Sequence, residues 1–127
     1  SYVELPGAQP ALVRAVAREA RLRRKPLVLV THSGRALALG DIADSVPAIV
    51  QGWFLGVEHG NAIADVLFGK ANPSGRLPVT FPRTSGQIPI HYDRRSTGRP
   101  AGEGEYTSKY LDVPWTPLYP FGHGLSY

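Results

Sequence analysis

The stretch LVLVT at positions 27–31 decides the fold of this chain. It is a continuous run of aliphatic and β-branched side chains, with Pro26 before it and the pair at 33–34, Ser-Gly, after it. The run is too short for a helix, and an apolar run without alternation is typical of a strand covered on both faces. A second apolar run lies at 48–54. The two runs predict neighbouring strands of a parallel sheet.

Helical patterns lie on both sides of these strands. Residues 8–24 place apolar side chains on one stripe and arginines on the other. Residues 60–68 form a second amphipathic pattern, with Asn61 as a candidate cap and Gly69 after the helix. Residues 35–45 form the crossover, in which Asp41 or Asp44 is expected to cap a short helix. Right-handed crossovers then give the α/β fold class, with a mostly parallel sheet flanked by helices as a partial α/β sandwich.

The second half of the chain has little hydrophobic periodicity. Residues 77–81 and 87–92 are short extended pieces broken by prolines, and such pieces are confined to sheet edges. Residues 93–127 read as a long loop and an extended Pro/Gly-rich C-terminal segment. We therefore expect a single, incomplete α/β domain over 1–127, with the α/β core in 1–92.

The composition limits the possible classes of protein. The chain has 127 residues, a formal charge of +4 and no cysteine, which indicates one domain without disulfides or thiol catalysis. No apolar run approaches the roughly 18 residues that span a bilayer. Much of the charge lies in residues 14–25, where no aromatic side chains interleave, so a solvated helix face is favoured over a nucleic-acid surface. The compartment stays open between bacterial cytoplasm, periplasm and secretion.

Seven further runs occur in a fixed order and cover nearly the whole chain. They are KPLVLV (25–30), SGR (33–35), GWFLGVE (52–58), GNAIADVLFG (60–69), NPSGRLPVTFP (72–82), GQIPIHY (86–92) and LYPFGHGLSY (118–127). Together they resemble the C-terminal α/β sandwich domain of family 3 glycoside hydrolases of the bacterial β-glucosidase type. Ala36, His59 and His123 stand where that pattern usually has Pro, Gly and Tyr, which leaves the sugar and linkage open.

The resemblance implies a retaining, exo-acting β-glucosidase-like hydrolase. In that family an Asp on an N-terminal (β/α)8 barrel attacks the sugar, and a Glu in sequence that would precede Ser1 protonates the leaving oxygen. The chain is then expected to be a fragment that supplies scaffold and a subsite wall. We expect it to carry neither catalytic carboxylate, to be inactive alone and to need no cofactor.

The resemblance also implies partners. They are a β-linked oligosaccharide or glucoside bound through the full enzyme, and the missing barrel domain. A sheet cut from its neighbours offers an open strand edge, so self-association of the fragment is expected. Neither nucleic acid nor a membrane is expected as a partner.

Six residues are candidates for substrate binding, each with a structural alternative. His32 follows the first strand and Glu58 follows the second, at the end where open α/β sheets bind ligands, although for Glu58 a structural role at the start of a helix is favoured. The others lie in the loop at 93–112, where a solvated loop is the alternative: Arg99, Glu103, Glu105 and Tyr106. The four histidines match no zinc spacing, so no metal is expected.

Two other classes of function stay open on sequence alone. One is a non-catalytic α/β module for carbohydrate binding or assembly. The other is a basic nucleic-acid-binding domain that uses the arginine-rich helix. Hydrolysis of an aryl β-glucoside separates an enzyme from the first, and salt-dependent DNA affinity identifies the second.

Overall fold

The computed structural model describes residues 2–95, 98–101 and 109–127. Its regular elements are α1 (Gln9–Leu22), β1 (Leu29–Thr31), α2 (Asp41–Ser45), β2 (Ile49–Gln51), α3 (His59–Leu67) and a 3₁₀ turn (Ser85–Gln87). β1 and β2 pair in parallel, with Leu29 opposite Ile49 and Thr31 opposite Gln51. The predicted α/β class with a parallel sheet and flanking helices is confirmed.

The strands are shorter and more exposed than the sequence predicts. β1 begins at Leu29 and not at residue 27, and Thr31 is its one buried residue, while Val28 remains 39% exposed. β2 covers the middle of the predicted run and is half-buried throughout. The prediction of coverage on both faces is therefore wrong within the described residues. The strands are exposed because the described sheet has two strands, which leaves its outer edges and parts of its faces without a neighbour.

The core lies between the crossover and α1. Leu37, Leu39 and Ile42 form its buried centre. Half-buried apolar side chains pack around that centre: Leu5, Val13, Leu29, Ala43, Ile49 and Leu118. Because these residues come from nearly every part of the described chain, burying this one cluster joins the amino-terminal segment, the first helix, the sheet and the carboxyl-terminal segment.

The helix caps differ from the predicted ones. Asp41 begins α2 but forms an ion pair with Arg14 of α1 at 2.8 Å, and the N-cap position is Gly40 with φ +51°. Asn61 lies inside the first turn of α3, where Glu58 is the N-cap residue and no side-chain cap bond forms. Gly69, with φ +75°, follows α3 in the left-handed conformation that a helix C-terminus favours, as the sequence predicts.

The carboxyl-terminal segment packs back on residues 77–87. Phe81 forms an isolated antiparallel bridge with Tyr119, and the amide of Leu77 donates to the carbonyl of His123 at 2.9 Å. The predicted edge strand at 77–81 is thus reduced to one bridge, because Pro78 and Pro82 lack the donors that a longer ladder needs.

Candidate functional site

Polar side chains gather at the carboxyl ends of β1 and β2. His32 and Ser33 follow β1, Gln51 ends β2, and Glu58 and His59 stand at the start of α3. We call these five residues the strand-end cluster. In open α/β sheets this edge is where ligands bind, because the chain leaves the parallel strands here and opens a crevice.

A series of hydrogen bonds fixes Gln51 and Ser33 of the strand-end cluster. The Thr31 hydroxyl donates to Gln51 Oε1 at 2.6 Å, and Gln51 Nε2 donates to Ser33 Oγ at 3.3 Å. The Ser33 hydroxyl in turn donates to the carbonyl of Arg35 at 2.7 Å. These hydrogen bonds tie the end of β2 to the turn that follows β1, so the backbone around His32 is held on both sides.

Two imidazoles meet in the other half of the strand-end cluster. The Nε2 atoms of His32 and His59 lie 3.1 Å apart, with ring centroids separated by 4.1 Å. A Cβ atom at Gly52 would lie 2.6 Å from the His32 ring, so the missing side chain leaves room for that imidazole beside the end of β2. Sequence reasoning missed His59 because 27 residues separate it from His32.

Glu58 has a structural partner. Its Oε2 accepts a hydrogen bond from Asn61 Nδ2 at 2.7 Å, one turn further along α3. The carboxylate is on an exposed residue beside His59. The structure therefore places Glu58 at the predicted strand end together with His32, and a sugar-binding role for either stays a prediction.

The remaining predicted site residues are not brought into the strand-end cluster by the described structure. Arg99 lies in the short described stretch 98–101 and is exposed. Glu103, Glu105 and Tyr106 fall outside the described residues. Their assignment to a sugar site rests on the sequence alone.

An open cavity of about 1210 Å³ borders the strand-end cluster at β1. The amino-terminal segment, α1, β1 and Phe54 line it, and His32 and Ser33 lie on its wall. Phe54 is 77% exposed, and Gly34 permits its approach because a Cβ there would lie 2.7 Å from the Phe54 ring. The cavity thus offers an aromatic face next to polar side chains, which is a common composition for small-molecule sites.

Among the residues whose placement is described, two ionisable groups outside the strand-end cluster have altered pKa values. The Ser85 hydroxyl, at 2.8 Å, and the Ser85 backbone amide, at 3.0 Å, both donate to Glu4 and lower its pKa below the ordinary 4.5. Burial, with a smaller contribution from Asp44, raises the pKa of Tyr119. Glu4 is therefore held ionised by structural bonds, which does not suit a general acid.

Three observations on the described residues bear on nucleic acid, metal and membrane as ligands. Arg14 and Arg23 of the basic stretch pair with Asp41 and Glu19. Among residues whose placement is described, no three His, Cys, Asp or Glu side chains converge as a metal-binding group. No described helix has the length and hydropathy to cross a bilayer.

The structure is an α/β domain with a short parallel sheet, flanking helices and a polar cluster beyond the strand ends. Domains of this class bind ligands at the carboxyl ends of their strands. The model of one family, described as the glycosyl hydrolase family 3 C-terminal domain, matches residues 1–127. The chain belongs to this family of glycoside hydrolases, and the predicted resemblance is confirmed.

Curated relatives agree with this assignment. The chain is 50% identical over 128 residues to the periplasmic beta-glucosidase of Salmonella typhimurium, covering 98% of the chain and 16% of that protein. It is 40% identical over 125 residues to a beta-xylosidase of Formosa agariphila, again with 98% of the chain and 16% of the relative covered. The chain thus spans about a sixth of the length of the relatives it matches.

Solved structures show the same fold. The beta-glucosidase from Listeria innocua in complex with isofagomine superimposes with a TM-score of 0.92 at 42% identity, covering 99% of this chain and 18% of that one. Beta-glucosidase 3B from Thermotoga neapolitana in complex with glycerol gives a TM-score of 0.72 at 29% identity, with 98% and 18% covered. The described fold is that of part of the C-terminal domain in these hydrolases.

Proposed function

We propose that this chain works as part of a retaining, exo-acting β-glucosidase-like glycoside hydrolase, in which it provides scaffold and one wall of the sugar-binding site. The observation that carries the proposal is the match over 99% of the chain, at a TM-score of 0.92, to a beta-glucosidase in complex with isofagomine. Another structure of the Listeria innocua enzyme, in complex with glucose, superimposes with a TM-score of 0.91.

The proposed sugar contacts are the six candidate residues. His32 and Glu58 lie in the strand-end cluster, where an imidazole and a carboxylate can form hydrogen bonds with sugar hydroxyls. The loop at 93–112 supplies the other four, whose side chains are suited to the same task by chemistry: Arg99, Glu103, Glu105 and Tyr106. In this proposal residues 1–92 are the supporting core and residues 93–127 the loop and tail.

The catalytic carboxylates are proposed to lie on other polypeptide of the same enzyme. Retention of configuration needs two carboxyl groups about 5–5.5 Å apart across the scissile bond. Several described acids instead have local structural partners: Glu4 with Ser85, Glu19 with Arg23, Asp41 with Arg14, Glu58 with Asn61, and Asp65 with Lys70. Residues 1–127 produced alone are therefore expected to show no turnover.

The proposal includes a protein neighbour at the edge of β1. The open cavity there is lined by β1 and the apolar side chains of Leu5, Leu12 and Val13, of which Leu12 is 63% exposed. We propose that other polypeptide of the hydrolase covers this edge, since an open strand edge beside apolar side chains is otherwise a site of association.

The test uses the full-length natural protein and aryl β-glucosides. We expect hydrolysis in which proton NMR detects the β-anomer first, the outcome of a double displacement. Substitutions His32→Gln and Glu58→Gln should each raise KM several-fold, whereas Arg18→Gln, on the exposed face of α1, should leave KM unchanged. Release of the α-anomer, or equal KM values in all four proteins, would contradict the proposal.

Substrate choice is a separate outcome of the same assay. Because the relatives include a beta-xylosidase as well as a beta-glucosidase, aryl β-xylosides are assayed beside the glucosides. We expect a higher kcat/KM for the glucoside, since the beta-glucosidase has a higher identity to this chain than the beta-xylosidase has. A preference for the xyloside would reassign the sugar but leave the reaction class unchanged.

A further inference from the structure

We propose that His32 and His59 form a binding site for one divalent transition-metal ion of the class of Cu²⁺, Ni²⁺ and Zn²⁺. Their Nε2 atoms approach to 3.1 Å from two different elements, the end of β1 and the first turn of α3. The inference shares His32 with the proposed sugar contacts, but it concerns a different ligand and is tested by metal binding and not by hydrolysis.

The separation of the two nitrogens suits a shared metal ion. With metal–nitrogen distances of about 2.0–2.1 Å and a tetrahedral angle, two imidazole nitrogens on one ion lie about 3.3 Å apart. The observed 3.1 Å is close to this value. Binding requires the two imidazoles to turn until both Nε2 lone pairs converge, because the present 4.1 Å between ring centroids is shorter than the roughly 5 Å expected for two rings that share one ion.

The two ligands are positioned in advance by their surroundings. Gly52 leaves space for the His32 ring, where a Cβ would lie 2.6 Å from ring atoms Cε1 and Nδ1. His59 is the first residue of α3, so its backbone is fixed by that helix. Ligands held on regular elements lose little conformational entropy when they bind, which favours metal affinity.

The ligand set selects the class of ion. Imidazole nitrogens suit Zn²⁺, Cu²⁺ and Ni²⁺, whereas Mg²⁺ and Ca²⁺ require oxygen ligands. No third His, Cys, Asp or Glu completes a metal-binding group with this pair in the described part of the chain. The protein thus supplies two ligands, and water or another small oxygen ligand occupies the other positions on the ion.

The spacing of histidines in the sequence predicts no metal, and the proposed pair is of a kind that this rule does not consider. Local zinc patterns place ligands within a few residues of each other. His32 and His59 are separated by 27 residues and meet because parallel pairing brings the end of β1 next to the turn before α3. The pairing is a tertiary feature that local spacing does not encode.

The experiment titrates the full-length natural protein, without an affinity tag and after removal of bound metal, with CuCl₂, ZnCl₂ and MgCl₂ by isothermal calorimetry. We expect Cu²⁺ to bind more tightly than Zn²⁺, as the usual order of divalent affinities requires, and Mg²⁺ not to bind here. His32→Gln and His59→Gln should each weaken Cu²⁺ binding at least tenfold. The matched control is His91→Gln, an exposed histidine outside the pair, which should bind as the parent does.

Electron paramagnetic resonance gives a second readout on the Cu²⁺ complex. Coupling to two imidazole nitrogens is expected in the parent protein and to one in either single variant, with circular dichroism confirming that each variant is folded. The proposal is overturned if both variants bind Cu²⁺ as the parent does, if His91→Gln abolishes binding, or if the parent spectrum shows no imidazole nitrogen. Loss of sugar hydrolysis in these variants bears on the proposed function and leaves this binding test unaffected.

Discussion

Gly52 shows how one missing side chain positions the strand-end cluster. The residue is buried at the end of β2, and its amide donates to the carbonyl of Thr31 at 2.7 Å. The His32 ring occupies the volume that a Cβ atom would need. The contact between His32 and His59 therefore depends on a residue that itself carries no functional group.

Replacing Gly52 with Ala is expected to rotate His32 away from His59. The added methyl group would also lie 3.3 Å from the Thr31 carbonyl, so we expect a loss of stability of about 1–3 kcal/mol from overpacking. Histidine ring proton shifts in NMR report the separation of the two rings, and chemical denaturation reports the stability.

Gly60→Ala is the matched control for that substitution. A Cβ at Gly60 meets nothing within 4 Å, and the residue lies in α3, where Ala is favoured over Gly by about 0.5–1 kcal/mol. We expect this variant to be slightly more stable, with His32 and His59 still in contact. An unshifted His32 resonance in Gly52→Ala would contradict the steric argument.

Glu4 makes stability depend on pH. Its pKa is lowered in the folded state, mainly by the hydroxyl and amide of Ser85, so the folded protein favours the ionised carboxylate. The contribution is therefore present above the unfolded pKa, near 4.5, and is lost as the pH falls through the lower folded value. Urea denaturation should find the parent more stable than Glu4→Gln at pH 7.

The same comparison at about pH 3 should find a smaller gap between parent and Glu4→Gln. Protonation weakens the bonds to Ser85 in the parent, while the amide of the variant does not titrate. A gap that stays constant between neutral and acidic pH would show that the Ser85 bonds do not distinguish the ionised carboxylate from the neutral one.

At the scale of elements, the 3₁₀ turn at Ser85–Gln87 joins the tail to the rest of the domain. Gln87 is 1% exposed. Its Oε1 accepts from the Arg83 amide at 2.6 Å, and its Nε2 donates to the Pro114 carbonyl at 2.7 Å. Arg83 adds a bond from Nε to the carbonyl of Thr116 at 3.0 Å. Two polar side chains thus add hydrogen bonds to the apolar contacts that Leu118 and Tyr119 make in holding the carboxyl-terminal segment.

Gln87→Ala is expected to loosen this attachment. The substitution removes the partner of the Arg83 amide and of the Pro114 carbonyl. A buried unsatisfied polar group costs about 1–3 kcal/mol, and we expect a loss near the lower end because Arg83 is half-buried and Pro114 is exposed. Hydrogen exchange should quicken at the Phe81 and Leu118 amides of the bridge, while β1 amides remain protected. Gln9→Ala, at an exposed glutamine of α1, is the control and should change neither.

The elements were predictable wherever local patterns decide them. The apolar runs located both strands, and the amphipathic stripe and Gly69 located α1 and the end of α3. Capping is a local rule and predicts Asp41 or Asp44 as a cap, whereas in the structure Arg14 of another helix binds Asp41. Strand length and burial also escaped prediction, since both depend on how many strands the sheet contains.

The site was predictable only in part, for the same physical reason. A strand followed by His32, and a second strand followed shortly by Glu58, predict that both residues lie at one sheet edge. The His32–His59 contact and the space at Gly52 depend on register between elements, which no local signal specifies. The roles assigned to Arg99, Glu103, Glu105 and Tyr106 stay predictions.

At the scale of the molecule, the described sheet has two strands, while many large apolar side chains of the chain remain exposed. β1 pairs with β2, and no further strand joins either one within the described residues. Large apolar side chains stand in solvent in several places, with Val57 99%, Phe68 83% and Leu12 63% exposed. Monomeric domains rarely expose large contiguous apolar patches, and we expect at least part of this surface to contact other polypeptide.

Residues 1–127 produced alone are therefore expected to self-associate. An open strand edge exposes backbone donors and acceptors that a second copy can pair, and the apolar side chains beside β1 add to the gain. Light scattering after size-exclusion chromatography should show a mass that rises with concentration.

Val28→Lys, which places a charge on a 39% exposed residue next to β1, should shift the population toward monomer. The full-length protein is the control, since its own polypeptide is proposed to cover this edge and should prevent pairing through it. A folded monomer of residues 1–127 at all concentrations would show that the edge needs no partner, and the proposed covering of β1 would then lose its physical basis.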